Sequence, residues 1–257
     1  MKEKKEIIST VEEKELNAPN GLAVGILSVL VYIAAAVGVI PAAMALDNGS
    51  TAFGAVLMTI CVLWLCVGWI PFMGVKVIRP NEALVLTLFG KYTGTLKKEG
   101  IFFVNPFSIA VNPASAQKIA SGKNPQEATA PVGKKLSLKA MTLDNKKQKI
   151  NDRDGNPIEI SIVVIWKIAN TAKAVFNVDN YEEYVSIQSD SALRDVAGAY
   201  PYDGDGENVK SLRGSSAEIA GHLRDMLQSR VDDAGIEVIE ARITHLAYAP
   251  EIAAAML

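Results

Sequence analysis

The sequence predicts an α+β protein: an N-terminal transmembrane helical hairpin, then a body rich in strands at first and helical towards its end. Three observations predict it. Leu22 to Ile40 and Ala52 to Ile70 carry no charge at all. Short β-forming runs separated by turn signals fill residues 76–168. Two segments with helical spacing follow, then a last strand-like run ending at Tyr248.

The two charge-free runs are taken first. At ~1.5 Å per residue each is about as long as a bilayer core is thick. A helix pair in a soluble core would keep a polar face, and neither run has one. Their only polar break is LDNGST, residues 46–51, which reads as the tip between two antiparallel helices. Pro41 and Pro71 fall just past the runs, where a helix is expected to end. Cys61 and Cys66 lie in the second run with no histidine or carboxylate near, so both read as buried apolar thiols. A cleaved leader fits poorly, because the first twenty residues mix lysine with more glutamate and two spans follow. Lys2, Lys4, Lys5 and Lys14 precede the first run, Lys76, Arg79 and Lys91 follow the second, and the tip has no cation. Cationic flanks stay inside, so both ends are expected on the cytoplasmic side of the cell membrane. The spans suffice to cross, and a re-entrant hairpin is the alternative.

The body starts directly at the membrane. Ala83–Phe89 alternates and is rich in β-formers, Gly90 marks a turn, and Lys91–Thr95 returns as a second strand. Gly100 opens a third apolar piece, GIFF. Residues 112–135 read as a loop. The strongest strand is Ile158–Ile168, with Ile158, Ile160, Ile162, Val164 and Trp166 on one face. Asp154-Gly155 before it signals a hairpin turn. Asn180 caps a helix carrying Tyr181, Tyr184, Val185, Leu193 and Val196. Ser215 and Glu218 form a candidate capping box for a second helix, striped by Ile219, Leu223, Met226, Leu227 and Val231 and ended by Gly235. The strand IEVIEARITHLAY then follows, able to pair in parallel through a crossover. Pro250 opens a final helix. The expected divisions are a polar tail (1–20), the hairpin (21–75), a membrane-proximal β-rich subdomain (76–135), an α/β subdomain (136–249) and a helix start (250–257).

The chain offers little chemistry. Net charge is −2 over 257 residues, so no basic field suggests nucleic acid. Asp152–Asn156, DRDGN, resembles a calcium loop but has glycine at the fourth place instead of the sixth; DGDGE at 203–207 fails likewise. His222 and His245 lack a nucleophile or carboxylate at motif spacing. No phosphate-binding glycine loop is present. No catalytic residue, cofactor or metal is expected, and no enzyme.

Four stretches in order behind the apolar runs resemble the SPFH (Band 7) superfamily of stomatin, prohibitin, flotillin and HflK/C. The first is Val77, Pro80, Glu82, Val85, Gly90, Gly100, Phe103 and Pro106. The second is Asp154, Gly155, Ile158, Ile160, Val164, Trp166, Ile168, Asn170 and Ala174. Tyr181, Leu193 and Arg194 carry the third; Gly235, Ile236, Val238, Ile243, Pro250, Glu251, Ala255 and Met256 carry the last. Glu99-Gly100 stands where the family has Pro-Gly. The family has a long Ala/Glu-rich coiled coil after the position of Met256, an expected further source of assembly energy.

The resemblance implies a non-enzymatic scaffold: a homo-oligomer whose subunits form rings or cages on membrane lipids and, in some members, enclose or regulate a membrane protease or other integral membrane protein. A membrane-bound hydrolase or accessory protease subunit is the alternative. A transporter is disfavoured, because two spans without an intramembrane charge offer no pathway. Phe102 and Phe103 in GIFFVNPF are candidates for contact with the inner leaflet. Glu218, Arg224, Asp225 and Arg230, on the mixed-charge side of the second helix, are candidates for contact between subunits.

Overall fold

The computed structural model describes residues 11–48, 51–114, 133–204 and 210–250. The chain forms two compact units, one of residues 14–111, the other of residues 112–257 with the N-terminal thirteen.

In the first unit, α1 (Gly21–Asp47) and α2 (Thr51–Val67) take up the two apolar runs. Asn20 caps α1, its side chain accepting from the Leu22 amide at 3.0 Å. Tyr32 donates to the Leu65 carbonyl, and Cys61 packs on Gly38, so the helices touch in opposite chain order. Two expectations need correction. Pro41 does not end α1, which runs six residues further. Its missing amide costs one backbone bond, and Ala42, with no exposed surface, is packed where the helix passes it. Cys66 is exposed while Cys61 is buried; five helical positions turn Cys66 away from the face that meets α1. Of the LDNGST tip, Asn48 closes α1 by donating to the Met44 carbonyl, and Gly49 and Ser50 lie outside the described residues.

The short helix α3 (Ile70–Met73) opens with Pro71. Then come β1 (Val75–Ile78), β2 (Glu82–Leu88), β3 (Lys91–Leu96), β4 (Gly100–Phe103) and β5 (Ile109–Ala110). β1 pairs antiparallel with β4, and β2 lies between β3 and β5. Ile78, Leu84, Leu86, Leu96 and Val104 form the core.

The second unit begins with β6 (Leu136–Ser137), β7 (Met141–Asp144), β8 (Gln148–Asn151) and β9 (Pro157–Ile168). One edge of β9 is shared: β7 pairs with its far half, at Val163–Trp166, and β8 with its start, at Pro157–Ile160. The predicted face is fully packed, Ile158, Ile160, Ile162 and Val164 being sealed and Trp166 3 % exposed. The turn into β9 is built on Asp152. Its Oδ1 accepts from the Asp154 and Asn156 amides at 3.0 and 2.8 Å, and its Oδ2 from the Tyr202 amide at 3.0 Å. That carboxylate serves backbone amides in place of a cation.

Next are α4 (Thr171–Phe176), α5 (Tyr181–Ala199), α6 (Ser216–Val231), a single 3₁₀ turn (Asp232–Ala234) and β10 (Ile236–Tyr248). α4 goes unannounced in the sequence, six residues being too few to show a period. Asn180 caps α5 as expected, accepting from the Glu182 and Glu183 amides. The capping box at α6 does not form. Ser215 makes no side-chain cap bond, because its ψ of 31 belongs to the preceding turn, and Glu218 pairs with Lys210 instead.

β10 also departs from expectation. It runs antiparallel to β9, from Ile236 opposite Ile168 to Tyr248 opposite Ile158. Two long helices form an out-and-back path, so the chain returns to the end of β9 that it left; a parallel partner would need an odd number of crossings. Irregularities at Ile239 and Thr244 bend β10. The helix after Pro250, and most of the loop expected at 112–135, lie outside the described residues.

Tyr181 anchors α5 edge-on to Trp166, with ring centres 6.1 Å apart. Burial, then the charge of Glu182, pushes its phenol up to about 12. An unfolded tyrosine ionises near ~10. The fold therefore keeps its full share of stability from this group below pH ~10 and loses it as pH climbs towards about 12. Denaturation midpoints across that window should fall more steeply for the natural chain than for Tyr181→Phe; parallel slopes would contradict this.

Candidate membrane-contact and subunit-contact surfaces

In the first unit the apolar helices and the strands meet at one place. Gly74, just past α3, accepts through its carbonyl from the Val104 amide at 2.9 Å. A Cβ on Gly74 would lie 2.4 Å from the Val104 carbonyl oxygen, so only glycine lets the strands come this close. On the other side of β4, the Pro19 carbonyl accepts from the Phe103 amide at 3.0 Å, one residue before the cap of α1. β4 and the residue after it thus bind both the segment entering α1 and the segment leaving α3.

Phe102 and Phe103 sit on this strand. Both are half-buried. Phe102 packs against the core that includes Leu96 and Val104. Phe103 stands opposite Val75 in the β1–β4 register, and its ring lies beside Gly74. The most exposed large apolar side chains among the strands and turns that follow α3 in this unit are others: Phe89, 88 % exposed, with Phe107 at 61 % and Ile109 at 60 %. The sequence hinted at them only through the position of Phe89 next to a turn glycine.

In the second unit the charged side of α6 divides into two groups. Arg224 is half-exposed and pairs with its neighbour Asp225. It borders an open groove of about 500 Å³ between α6 and β10, lined by Ala217, Ala220, Gly221, Ile239 and Arg242 among others. Glu218, also exposed, holds Lys210. Arg230 is different. Its guanidinium donates to Ser191 Oγ at 2.7 Å and pairs with Asp195, both on α5, and the Tyr184 hydroxyl donates to its carbonyl. Arg230 is therefore a strut between α5 and α6, a role that charge spacing along one helix could not reveal. Of the four candidate residues, Asp225 and Glu218 are the most exposed, Arg224 is half-exposed and Arg230 the most covered.

Among the described residues, the histidines stand apart from reactive partners. His222 is exposed, with Nδ1 3.3 Å from the Tyr200 hydroxyl. His245 faces Ser161 across the β9–β10 register, but that hydroxyl is 3.0 Å from Thr244 Oγ1. Among the described residues, no three His, Cys, Asp or Glu side chains gather as metal ligands.

The SPFH domain / Band 7 family model matches residues 76–257, well over half of the chain, starting at the second residue of β1. The chain belongs to the SPFH/Band 7 family. Mouse stomatin is 21 % identical over 182 residues, covering 70 % of this chain and 51 % of stomatin. An uncharacterized protein of Methanothermobacter thermautotrophicus is 23 % identical over 201 residues, 78 % of this chain and 53 % of that protein. The chain spans about half the length of these curated relatives. In this SPFH/Band 7 protein the family match opens at Lys76, two residues after Gly74, so the domain begins where the apolar helices end.

Proposed function

We propose that this protein is a membrane-anchored, non-enzymatic scaffold of the SPFH type, held in the cell membrane by a hairpin of α1 and α2. In this reading its body lies on the cytoplasmic side, and subunits associate side by side into rings or cages that organise membrane lipids and enclose or regulate an integral membrane protein such as a protease. The observation that carries the reading is the double attachment of β4 to the segments on either side of the apolar helices. It sets a family domain directly against a pair of helices long and apolar enough to cross a bilayer. The groove beside Arg224 supports α6 and β10 as a lateral surface, where charge sets register more than affinity.

Protein extracted from its own membrane into mild detergent should run as one large species by native mass measurement. Arg224→Glu should shift it to smaller species without changing the unfolding midpoint, since that side chain is half-exposed and, among the described residues, pairs with its neighbour Asp225 alone. A wild type that stays monomeric in membrane and in detergent would end the scaffold reading. Orientation is a separate test. Ser50→Cys should react with an impermeant thiol reagent from outside intact cells if the hairpin crosses, and Ser121→Cys only once the cytoplasmic side is opened. Labelling of position 121 from outside would reverse the topology.

A further inference from the structure

We infer that the two outer edges of the second unit's sheet pair between neighbouring copies: β7 of one subunit adds as a parallel strand to β10 of the next, in the groove beside α6. The inference rests on the proposal that α6 and β10 form a lateral surface between subunits, and it names the segment that this surface receives.

Among the described residues this sheet ends openly on both sides. β9 lies between β10 and β7, and neither outer strand has a further strand on its free edge. An open edge is a row of unpaired amides and carbonyls, a template for another strand. The start of β10 is already closed. The Gln228 side chain donates to the Ile236 carbonyl at 3.0 Å and accepts from the Val238 amide at 2.7 Å, the kind of bonds a neighbouring strand would make. That substitute stops at Val238. From Ile239 to Ile243 the strand lines the groove of about 500 Å³, and Ile239 is 42 % exposed. A strand advances ~3.3 Å per residue, so the four residues of β7 fit within this open length.

The side chains suit the joint. Met141 and Leu143 stand opposite Trp166 and Val164, so they belong to the packed face. Being on its rim, both are only half-buried. At the other rim α6 borders the groove with Ala217, Ala220 and Gly221, and a Cβ added to Gly221 would meet nothing within 4 Å. Small residues on one rim leave room for the larger ones of the other. Lys139, Lys146 and Lys147 flank β7, exposed and in no ion pair among the described residues. Glu240 lines the groove and Asp225 adjoins it, each held only by an exposed arginine of its own chain. Lysines on one edge therefore meet carboxylates on the other, which sets the register.

Direction follows from symmetry. β7 and β10 are both antiparallel to β9, so they run the same way. In a ring of many subunits each copy is turned only slightly from the last. The β7 brought to a neighbour's β10 keeps its direction and pairs parallel. Such a head-to-tail contact repeats until the ring closes, whereas β10 paired with its own copy about a twofold axis would be antiparallel and stop at a dimer.

The test is disulfide trapping in the full chain, in its own membrane, with Cys61 and Cys66 replaced by alanine. One variant combines Thr142→Cys with Glu240→Cys. A second combines Thr142→Cys with Arg242→Cys, for a register displaced by two residues. Within one copy Thr142 and Glu240 flank Ile165 on opposite sides. They are two strand spacings apart, ~9.5 Å, too far for a disulfide. Thr142→Cys with Glu183→Cys, an exposed position on α5, measures chance collision. After mild oxidation at least one of the two test pairs is expected to give a ladder of dimers, trimers and higher species, several-fold above the collision control, and each single cysteine none. If the wild type forms its large species but both pairs stay at the collision level, the strand addition is overturned and the scaffold reading stands on another surface. Dimers from Glu240→Cys or Arg242→Cys alone would mean that β10 meets its own copy, which also overturns it. If the wild type is monomeric in membrane and detergent, the scaffold reading falls and this inference with it.

Discussion

Trp166→Ala is expected to remove ~3–5 kcal/mol of stability, as truncation of a large buried aromatic does. Trp166 is the largest side chain on the packed face of β9. It sits between Met141 of β7 and Val238 of β10 in register, with the edge of Tyr181 against it. One side chain therefore touches the central strand, both of its partners at that level and the first turn of α5. Removing it leaves a cavity that backbone bonded on both edges cannot close. For a chain of this size the melting midpoint in detergent, followed by circular dichroism, should drop by roughly 6–20 °C. Trp166→Phe should lose much less. An unchanged midpoint for the alanine variant would mean that this face does not hold the unit together.

Gly235→Ala should be nearly as damaging, at roughly 2–4 kcal/mol, for two separable reasons. Gly235 has φ 67, which an L-residue resists. A Cβ there would also lie 2.4 Å from the Asn170 carbonyl oxygen. The close approach has a purpose: the Gly235 carbonyl accepts from both the Ala169 and Asn170 amides, tying the end of β9 to the start of β10 just before the capped start of α4. Asparagine tolerates left-handed backbone better than alanine but still carries a Cβ. If strain alone mattered, Gly235→Asn would recover most of the loss; the contact with Asn170 predicts that it recovers little.

How much of this was legible depended on the range of the forces involved. Hydrophobic period read locally located α1, α2, β2, β9, α5 and α6, because each buries or exposes a whole face. The Asn180 cap and the left-handed Gly235 were readable for the same reason, as requirements of a few adjacent residues. What failed needed knowledge of partners distant in the chain. Ser215 and Glu218 have the right spacing for a capping box, yet Lys210 takes the glutamate. Pro41 looks like a terminator, yet α1 continues through it with α2 alongside. The direction of β10 depended on the number of long helices before it, not on its own pattern. In the candidate surfaces, GIFF marked the strand that meets the apolar helices, but Phe102 turns to the core and the bare rings belong to Phe89 and Phe107. Arg230 looked like its neighbour Arg224 until Ser191 and Asp195 came into view on another helix.

The two bonds on either side of β4 have a mechanical consequence. A domain joined to a bilayer by a single flexible segment would behave as a particle on a string, free to swivel and deaf to deformation below it. Here Pro19 and Gly74 grip the same short span of backbone from both sides. Rotation about either attachment is resisted by the other. A change in the tilt of α1 relative to α3, such as bilayer thinning or bending imposes, must therefore twist β4 instead of being absorbed by a hinge. The joint transmits torque, so that with α1 and α2 in a bilayer, as proposed, the first unit would be coupled to the shape of the lipid sheet around its helices.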